Sequence, residues 1–288
     1  MFEGFINGVL ANIVYDFIKT NRLNSIKDVK SEPVMEIKVP FVEKTNKSYK
    51  EELSERLRLS IQLLSCKNDP LMLSKVRDFL NYGLVGEIEK YFDGIKEAPL
   101  PFIERYAKFF GLEKAWLIHG EGNKFVTYRG LYLSPRKYFQ VIVDTCAKQI
   151  FFVRSKDWEV GIVLKLSGWE FIILPLTVNF AIDDEQPDRA NIVNFYDTIK
   201  YILNDPLTRR CQFKGILMSQ KDFLKLFSGE LYPKELDSLK YYNDSWWDDF
   251  LDIEYIYKTS KNYEQLYGRI FIRNQEIVKD RYAKGYVS

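Results

Sequence analysis

The chain has 288 residues, which is enough for about two domains of ordinary size. Because 42 Lys and Arg stand against 40 Asp and Glu, the formal net charge is only +2, and no strong overall field would draw the protein to nucleic acid or to an anionic membrane. The three cysteines, Cys66, Cys146 and Cys211, fit neither a disulfide framework nor a metal knuckle, so a reducing, cytoplasmic setting is expected.

Residues 1–20 predict an amphipathic helix, because apolar side chains recur at helical spacing on one face and polar ones occupy the other. A basic leader and a cleavage site are lacking, and polar residues interrupt the apolar run, so neither export nor a membrane span is expected. The apolar face must be covered by the chain's own domain, a second copy, another protein or a membrane surface, and we expect a homo-oligomer. The side chains predicted to mediate self-association are Phe2, Phe5, Ile6, Val9, Leu10, Ile13 and Phe17.

Residues 21–50 predict a polar linker, within which residues 34–40 alternate like a short strand. Glu36 and Lys38 have the spacing found in metal-dependent nucleases, where the acid helps to hold a divalent cation and the lysine steadies the attacking water. Such a site also needs an aspartate on a neighbouring strand, and Asp28 has no strand pattern around it. We therefore favour a solvated strand edge here.

Residues 51–124 predict a domain of five short helices, since the apolar residues recur at helical spacing. The predicted helices cover residues 55–65, 71–82, 84–94, 101–111 and 113–120. Proline and glycine stand at the predicted helix ends, at Pro70, Gly94, Pro99, Pro101, Gly111 and Gly120.

Residues 99–122, PLPFIERYAKFFGLEKAWLIHGEG, resemble the last two helices of a Cro-repressor (lambda-repressor-like) helix-turn-helix domain, a family found in bacteria and their phages. Five helices in about 70 residues is also the count of that family, and the resemblance covers roughly a quarter of the chain. It implies that helix three reads the major groove of DNA and that Gly94 supplies the turn after it. The core positions that it implies are Leu57, Ile61, Leu64, Val76, Leu80, Ile88, Phe102, Tyr106, Phe109, Leu112, Trp116 and Leu117.

The start of helix three departs from the family, because residues 83–87 read Gly-Leu-Val-Gly-Glu where DNA readers carry polar groups that bond to base edges. Residues 51–122 also hold 10 Lys and Arg against 12 Asp and Glu, a net charge of −2, whereas phosphate binding needs cations. Sequence-specific DNA binding and protein contact through a degenerate domain both stay open. The residues that we predict for nucleic-acid binding are Lys75, Arg77, Asn81, Tyr82 and Lys90.

Residues 125–288 predict an α+β domain with an antiparallel sheet covered on one side, suited to sensing or dimerisation. Strand patterns cover residues 137–144, 149–154, 159–166, 169–178, 215–218, 253–258 and 269–273, with a tight turn at Ser167 and Gly168. Helix patterns cover residues 191–203, 220–227 with Ser219 as cap, 233–241 and 275–283.

The sequence predicts no catalytic residue, metal ligand or cofactor. The only histidine, His119, stands at the end of helix five, where a lone His is typical of a helix cap. Ser219 and Lys221 lie too close together for a self-cleaving Ser-Lys peptidase of the LexA type.

Two acidic groups and one aromatic group are further candidates. The acidic groups could hold a hard cation, although solvated loop charge is the interpretation that we favour. The aromatic group could form a stacking or partner surface, although core packing is more common. The acidic groups are Asp183, Asp184, Glu185 and Asp188, and Asp248, Asp249, Asp252 and Glu254; the aromatic group is Tyr241, Tyr242, Trp246 and Trp247.

Together these patterns predict a non-enzymatic bacterial or prophage regulator, or a phage-defence component, that binds DNA or a protein partner through residues 51–124 and self-associates. One alternative is a metal-dependent nuclease that uses Glu36 and Lys38 or the acidic loops. Another is a filament-forming scaffold built through residues 2–18.

Overall fold

A computed structural model describes seven stretches of the chain, namely residues 47–65, 69–127, 134–174, 178–181, 186–237, 242–254 and 262–285. These stretches belong to one compact unit that begins at Lys47. The predicted association helix, most of the predicted linker, and the pair Glu36 and Lys38 lie outside the described residues.

The first part of this unit contains the five predicted helices. They are α1 (Tyr49–Leu64), α2 (Leu73–Leu80), α3 (Val85–Phe92), α4 (Leu100–Phe110) and α5 (Lys114–His119), together called the five-helix module. A capping box of Ser48 and Glu51 begins α1, because each side chain bonds to the other residue's backbone N–H. Gly111 and Gly120 end α4 and α5 with φ of 64° and 74°, left-handed values that favour glycine.

The second part mixes helices and strands, so its class is α+β. In chain order it contains α6 (Pro135–Asp144), β1 (Gln149–Ser155), β2 (Glu159–Lys165), β3 (Phe171–Ile173), β4 (Val178–Asn179), α7 (Gln186–Asn204), β5 (Gln212–Met218), α8 (Gln220–Phe227), a 3-10 helix (Pro233–Asp237), β6 (Tyr242–Asn243), α9 (Trp246–Leu251), α10 (Tyr263–Tyr267) and α11 (Arg269–Ala283).

The sheet is mixed, which corrects the prediction of an antiparallel sheet. Its strand order is β3-β2-β1-β5-β6, and β4 pairs with β2. The strands β1, β2 and β3 pair antiparallel, but β1 and β5 run parallel, with Gln149 opposite Gln212. The crossover through α7 explains the parallel pair, because a helix between two strands returns the chain to the same end of the sheet.

Both faces of the sheet are covered, so the expectation of one covered side was also wrong. All seven residues of β1 are buried. Phe151 and Val153 belong to a core shared with the five-helix module and α8, whereas Ile150 and Phe152 belong to a second core formed with α6, α7, α9, α10 and α11. The face that was expected to meet solvent therefore meets α8 and the module.

The five-helix module is joined to the sheet by direct contacts. Rings of Phe79 and Phe110 lie 6.1 and 6.3 Å from the ring of Trp169 in the turn between β2 and β3. In the segment that follows α5, the backbone N–H of Val126 donates to the carbonyl oxygen of Gly111 at 2.8 Å. The predicted core positions of the module all lie in this shared core, with Ile61 and Phe109 partly buried at its margin.

Two predicted strands were wrong, and a third is contradicted at its first two residues. Residues 137–144 form α6, because Pro135 starts a helix after Ser134 and buries Tyr138 and Ile142 one turn apart. Residues 269–273 form the start of α11, whose Phe271 and Val278 are buried two turns apart. Residues 253 and 254 form a turn, and the rest of that predicted strand lies outside the described residues.

Most of the remaining predicted elements of this part are confirmed in whole or in part. The strands over residues 149–154 and 159–166 are confirmed as β1 and β2, and residues 215–218 lie within β5. The helices over 191–203 and 220–227 are confirmed, and the hydroxyl of Ser219 accepts from Asp222 N as predicted. Residues 169–178 contain β3 and the first residue of β4, while residues 233–237 are 3-10 helix.

At Gly215 the backbone of Asp244 packs directly against strand β5. A Cβ atom at this position of β5 would lie 1.6 Å from the carbonyl oxygen of Asp244. At Gly161 in β2, a Cβ would lie 2.3 Å from the ring of Phe227 on α8. Gly168 has no heavy atom within 4 Å of such a Cβ. The two strand glycines are therefore needed for packing and Gly168 is not.

We expect Gly215→Ala to lower the free energy of unfolding by about 3 kcal/mol or more, because a backbone atom blocks the added methyl group. Gly161→Ala should cost less, since the Phe227 ring can turn aside. Gly168→Ala is the matched control and should change stability by less than about 1 kcal/mol. Urea denaturation followed by circular dichroism measures all three, and equal stability of the Gly215 and Gly168 variants would contradict the packing.

Tyr106 gives the module core a pH dependence. Its hydroxyl lies 2.7 Å from the hydroxyl of Ser60, and the side chain is completely buried. Burial raises the pKa of Tyr106 well above its usual value. The folded protein therefore keeps this proton at a pH where the unfolded chain has lost it.

The stabilising effect of neutral Tyr106 is thus complete below the unfolded pKa near 10 and is lost as the pH rises towards the higher folded value. We expect the free energy of unfolding to fall above pH 10, by roughly 1.4 kcal/mol per pH unit for this residue. In Tyr106→Phe the fall should be shallower by that amount, while Ser60 keeps its bond to the Leu57 carbonyl. Urea denaturation between pH 9 and 11.5 measures the slope, and an unchanged slope in the variant would refute the assignment.

Candidate functional site

The turn between α2 and α3 places the start of α3 at the surface. Asn81 ends α2 in a left-handed conformation, with φ of 46° and ψ of 52°, and Gly83 follows with φ of 30°. These two residues reverse the chain so that Leu84 becomes the N-cap of α3. The side chain of Leu84 is 74% exposed, Val85 is half-buried and Gly86 is exposed. The end of α3 that would enter a DNA groove thus presents an apolar surface.

Two charged side chains of α3, Glu87 and Lys90, are paired. The carboxylate of Glu87 accepts from Lys90 and from Lys96, each at 3.1 Å. Hydrogen bonds from Lys96 and then Lys90 hold the pKa of Glu87 below its usual value. Lys90, a residue predicted for nucleic-acid binding, is exposed, but its charge is largely offset by its neighbour.

The two predicted cations of α2 are paired as well. Lys75 donates to the carboxylate of Asp69 at 2.6 Å, and Lys234 from the 3-10 helix donates to the other oxygen of Asp69 at 2.5 Å. These hydrogen bonds, first from Lys234 and then from Lys75, lower the pKa of Asp69. Arg77 forms an ion pair with the adjacent Asp78. Lys75 is therefore part of the contact between the module and the second part of the unit.

The predicted base contacts Asn81 and Tyr82 differ in exposure. Asn81 is exposed, and its backbone N–H caps α2 by donating to the carbonyls of Arg77 and Asp78. Tyr82 is half-buried, with its ring 5.0 Å from that of Phe102 and its hydroxyl 3.5 Å from that of Tyr91. Burial, followed by the bond to Tyr91, raises the pKa of Tyr82 to about 12. Its ring serves mainly to pack the module.

Three arginines that the sequence analysis did not single out hold the ends of helices. Arg56 donates to the carbonyls of Leu117 at 2.8 Å and of Ile118 at 2.6 Å, at the end of α5. Arg58 donates to the carbonyl of Phe92 at 2.6 Å, and Arg105 donates to that of Leu80 at 3.0 Å. Each bond satisfies a carbonyl that a helix end leaves without an intrahelical donor.

The sequence analysis missed these arginines because their carbonyl partners are far away along the chain. Arg56 is 61 residues from Leu117, and Arg58 is 34 residues from Phe92. Nothing in the local pattern separates such arginines from exposed ones. With Arg77 paired to Asp78, every arginine between residues 51 and 122 already has a protein partner.

Two of the acidic residues near α9 are hydrogen-bonded within the fold. Asp249 is buried and accepts from the hydroxyl of Tyr267 at 2.7 Å, and Asp252 accepts from Tyr263 at 2.6 Å. For Asp249, this corrects the interpretation as solvated loop charge, because a buried carboxylate needs such donors. Within the described stretches, no group of three His, Cys, Asp or Glu could hold a metal ion. The other acidic loop, Asp183–Asp188, lies outside the residues whose side chains are described.

Trp246 and Trp247 belong to the second core, which argues against an exposed stacking surface there. Trp246 is completely buried, and its indole N–H donates to the carbonyl of Phe152 at 3.3 Å. The ring of Trp247 lies 4.8 Å from that of Phe152. Tyr241 and the side chain of Tyr242 lie outside what the structure describes.

A buried ion pair sits close to this core. Arg154 of β1 donates to Asp244 at 2.7 Å, and both side chains are about nine-tenths buried. The guanidinium group also lies 4.2 Å from the ring centre of Trp158, whose φ of 69° is unusual for a bulky residue. The pair lies inside the fold and offers no open surface, because Nε of Arg154 has neither solvent contact nor a hydrogen-bond partner.

Comparison of the chain with models of known protein families, with curated proteins and with solved structures finds no match. The resemblance to the Cro-repressor family therefore stays a prediction from the sequence. Among the described residues, no helix has both the length and the apolar character needed to cross a membrane.

We expect Arg56→Met to lower the free energy of unfolding by about 2 kcal/mol, because two carbonyls at the end of α5 lose a charged donor. Arg77→Met is the matched control, since its ion pair is exposed on the surface and should contribute less than about 1 kcal/mol. Thermal and urea unfolding of both variants provide the measurement. A loss in the Arg56 variant no larger than that in the Arg77 variant would contradict the capping role of Arg56.

Proposed function

We propose that the protein is a non-enzymatic regulator or phage-defence component of bacteria or their phages, and that its repressor-like five-helix module binds a partner protein. The observation that carries this proposal is the exposure of Leu84 at the start of α3. In a DNA reader of the resembled family, this end of the helix carries groups that bond to base edges. A leucine side chain forms no hydrogen bond to a base edge, whereas its burial against a protein surface makes the free energy of binding more favourable.

The electrostatics of the module support a protein partner over DNA. Affinity for a duplex comes largely from lysines and arginines that replace counterions on the phosphates. Here the four arginines hold carbonyls or carboxylates, while Lys75 and Lys90 are paired with Asp69 and Glu87. Releasing these cations for phosphate contacts would break bonds that stabilise the module.

The partner expected from this surface has an apolar pocket with a cation at its rim. The pocket would receive Leu84, and the cation would face Glu89, an exposed acid of α3 five residues further along the chain. An apolar centre with a charged rim is the usual arrangement of a protein interface. Self-association through the apolar face of residues 2–18 is the second part of the proposal, and its support comes from the sequence pattern alone.

We expect Leu84→Glu to abolish binding of the partner, with a loss of affinity of tenfold or more, because the central apolar contact would be replaced by a charge. Leu207→Glu is the matched control, since Leu207 is also an exposed leucine, at 68%, but belongs to the loop before β5. Proteins retained from a host lysate by the wild type and the control, but not by Leu84→Glu, are then purified and titrated individually. The proposal would be refuted if Leu84→Glu retained every protein that the wild type and the control retain.

The same preparation tests the DNA alternative. Fluorescence anisotropy with a pool of duplex fragments, at 50 and 200 mM salt, measures binding and its salt dependence. We expect weak binding that does not change when Lys75, Arg77 and Lys90 are replaced by Gln. Strong, salt-dependent binding that this triple variant loses would favour a DNA reader instead.

A further inference from the structure

Two cysteines lie at the same end of the neighbouring strands β1 and β5. Cys146 is in the turn between α6 and β1, and Cys211 directly precedes β5. Because β1 and β5 are parallel neighbours, their first residues meet, with Gln149 opposite Gln212. The backbone N–H of Gln212 also donates to the carbonyl of Lys148 at 2.9 Å. The turn that carries Cys146 is therefore held against the segment that carries Cys211.

The thiol of Cys211 points towards this turn. Its Sγ donates to the carbonyl of Ala147, the residue after Cys146, at 3.0 Å. Burial, and then the negative charge of a Cys146 thiolate, raises the pKa of Cys211. Both thiols are free. Cys146 is exposed, whereas Cys211 is partly covered.

The backbone at Cys146 has an unusual conformation. Its φ of 51° lies in the left-handed region, which residues other than glycine seldom adopt. The N–H of Cys146 donates to the carbonyl of Val143, which continues the turn at the end of α6. The left-handed conformation reverses the chain immediately before β1 and keeps Cys146 beside the sheet edge.

We propose that Cys146 and Cys211 form a redox pair that closes into a disulfide when a small-molecule disulfide is abundant. The exposed thiolate of Cys146 attacks one sulfur of that oxidant, which forms a mixed disulfide and releases one thiol. The thiolate of Cys211 then attacks the Cys146 sulfur and expels the second thiol. The protein loses two protons and two electrons, and the oxidant is reduced to two thiols.

The bond would connect the turn before β1 to the segment before β5, and so would fasten the parallel pair at the centre of the sheet. The closed loop would contain β1, β2, β3, β4 and α7. Restricting so long a segment in the unfolded chain stabilises the folded state. In a reducing compartment the pair stays open, and it closes only when the thiol-disulfide balance shifts.

The experiment uses the full chain with Cys66→Ser as background, so that only the proposed pair is present. The protein is incubated with oxidised glutathione and digested without reduction, and the peptides are identified by mass spectrometry. We expect a peptide that joins Cys146 to Cys211 and weighs two hydrogens less than the sum of its parts. We also expect a rise of about 5 °C in the unfolding midpoint, which dithiothreitol reverses.

A second variant separates the disulfide from other effects of oxidation. Cys146→Ser changes an exposed side chain, so it should fold normally, carry at most a glutathione adduct on Cys211, and show no rise in the midpoint. Glutathione retained on Cys146 of the Cys66→Ser protein without the joined peptide would overturn the proposal. So would an equal rise in the midpoint of the Cys146→Ser variant.

Discussion

The burial of β1 on both faces is the constraint on which the rest of this structure depends. A strand with every residue buried needs a layer of apolar side chains above and below it. On one side Phe151 and Val153 meet the core shared with the five-helix module and α8, and on the other Ile150 and Phe152 meet the second core. The module thus completes the cover of the sheet, and the contacts of Phe79 and Lys234 fix its position there.

Local patterns in the sequence predicted the five helices and most of their ends, because leucine spacing, proline and glycine act within a few residues. The start of α1 was wrong, since this helix begins at Tyr49 and the prediction began it at residue 55. The same reasoning failed for α6, where Val141 and Val143 alternate like a strand while the buried pair Tyr138 and Ile142 follows a helix. The parallel pairing of β1 with β5 could not be predicted, because it joins segments about 60 residues apart. The continuous run Ile150–Val153 was, in retrospect, the signal for burial on both faces.

The candidate site was also only partly predictable from the sequence. The apolar start of α3 was evident from residues 83–87, and the exposure of Leu84 agrees with that pattern. The partners of the cations were not evident, because they depend on tertiary contacts such as Asp69 with Lys234 or Arg56 with Leu117. Sequence counts gave the number of charges between residues 51 and 122, but only coordinates show which charges are already paired.

The arginine bonds at the helix ends help to fix the position of the exposed Leu84. Arginines bonded to the carbonyls at the ends of α2, α3 and α5 hold the angles between the helices, so the start of α3 is presented in one orientation. A rigid surface loses little conformational entropy when it binds, and that advantage applies equally to DNA and to protein. The chemistry of the surface is what separates the two in our proposal, because an exposed leucine bonds to neither a base edge nor a phosphate, whereas an apolar pocket on a partner protein would cover it.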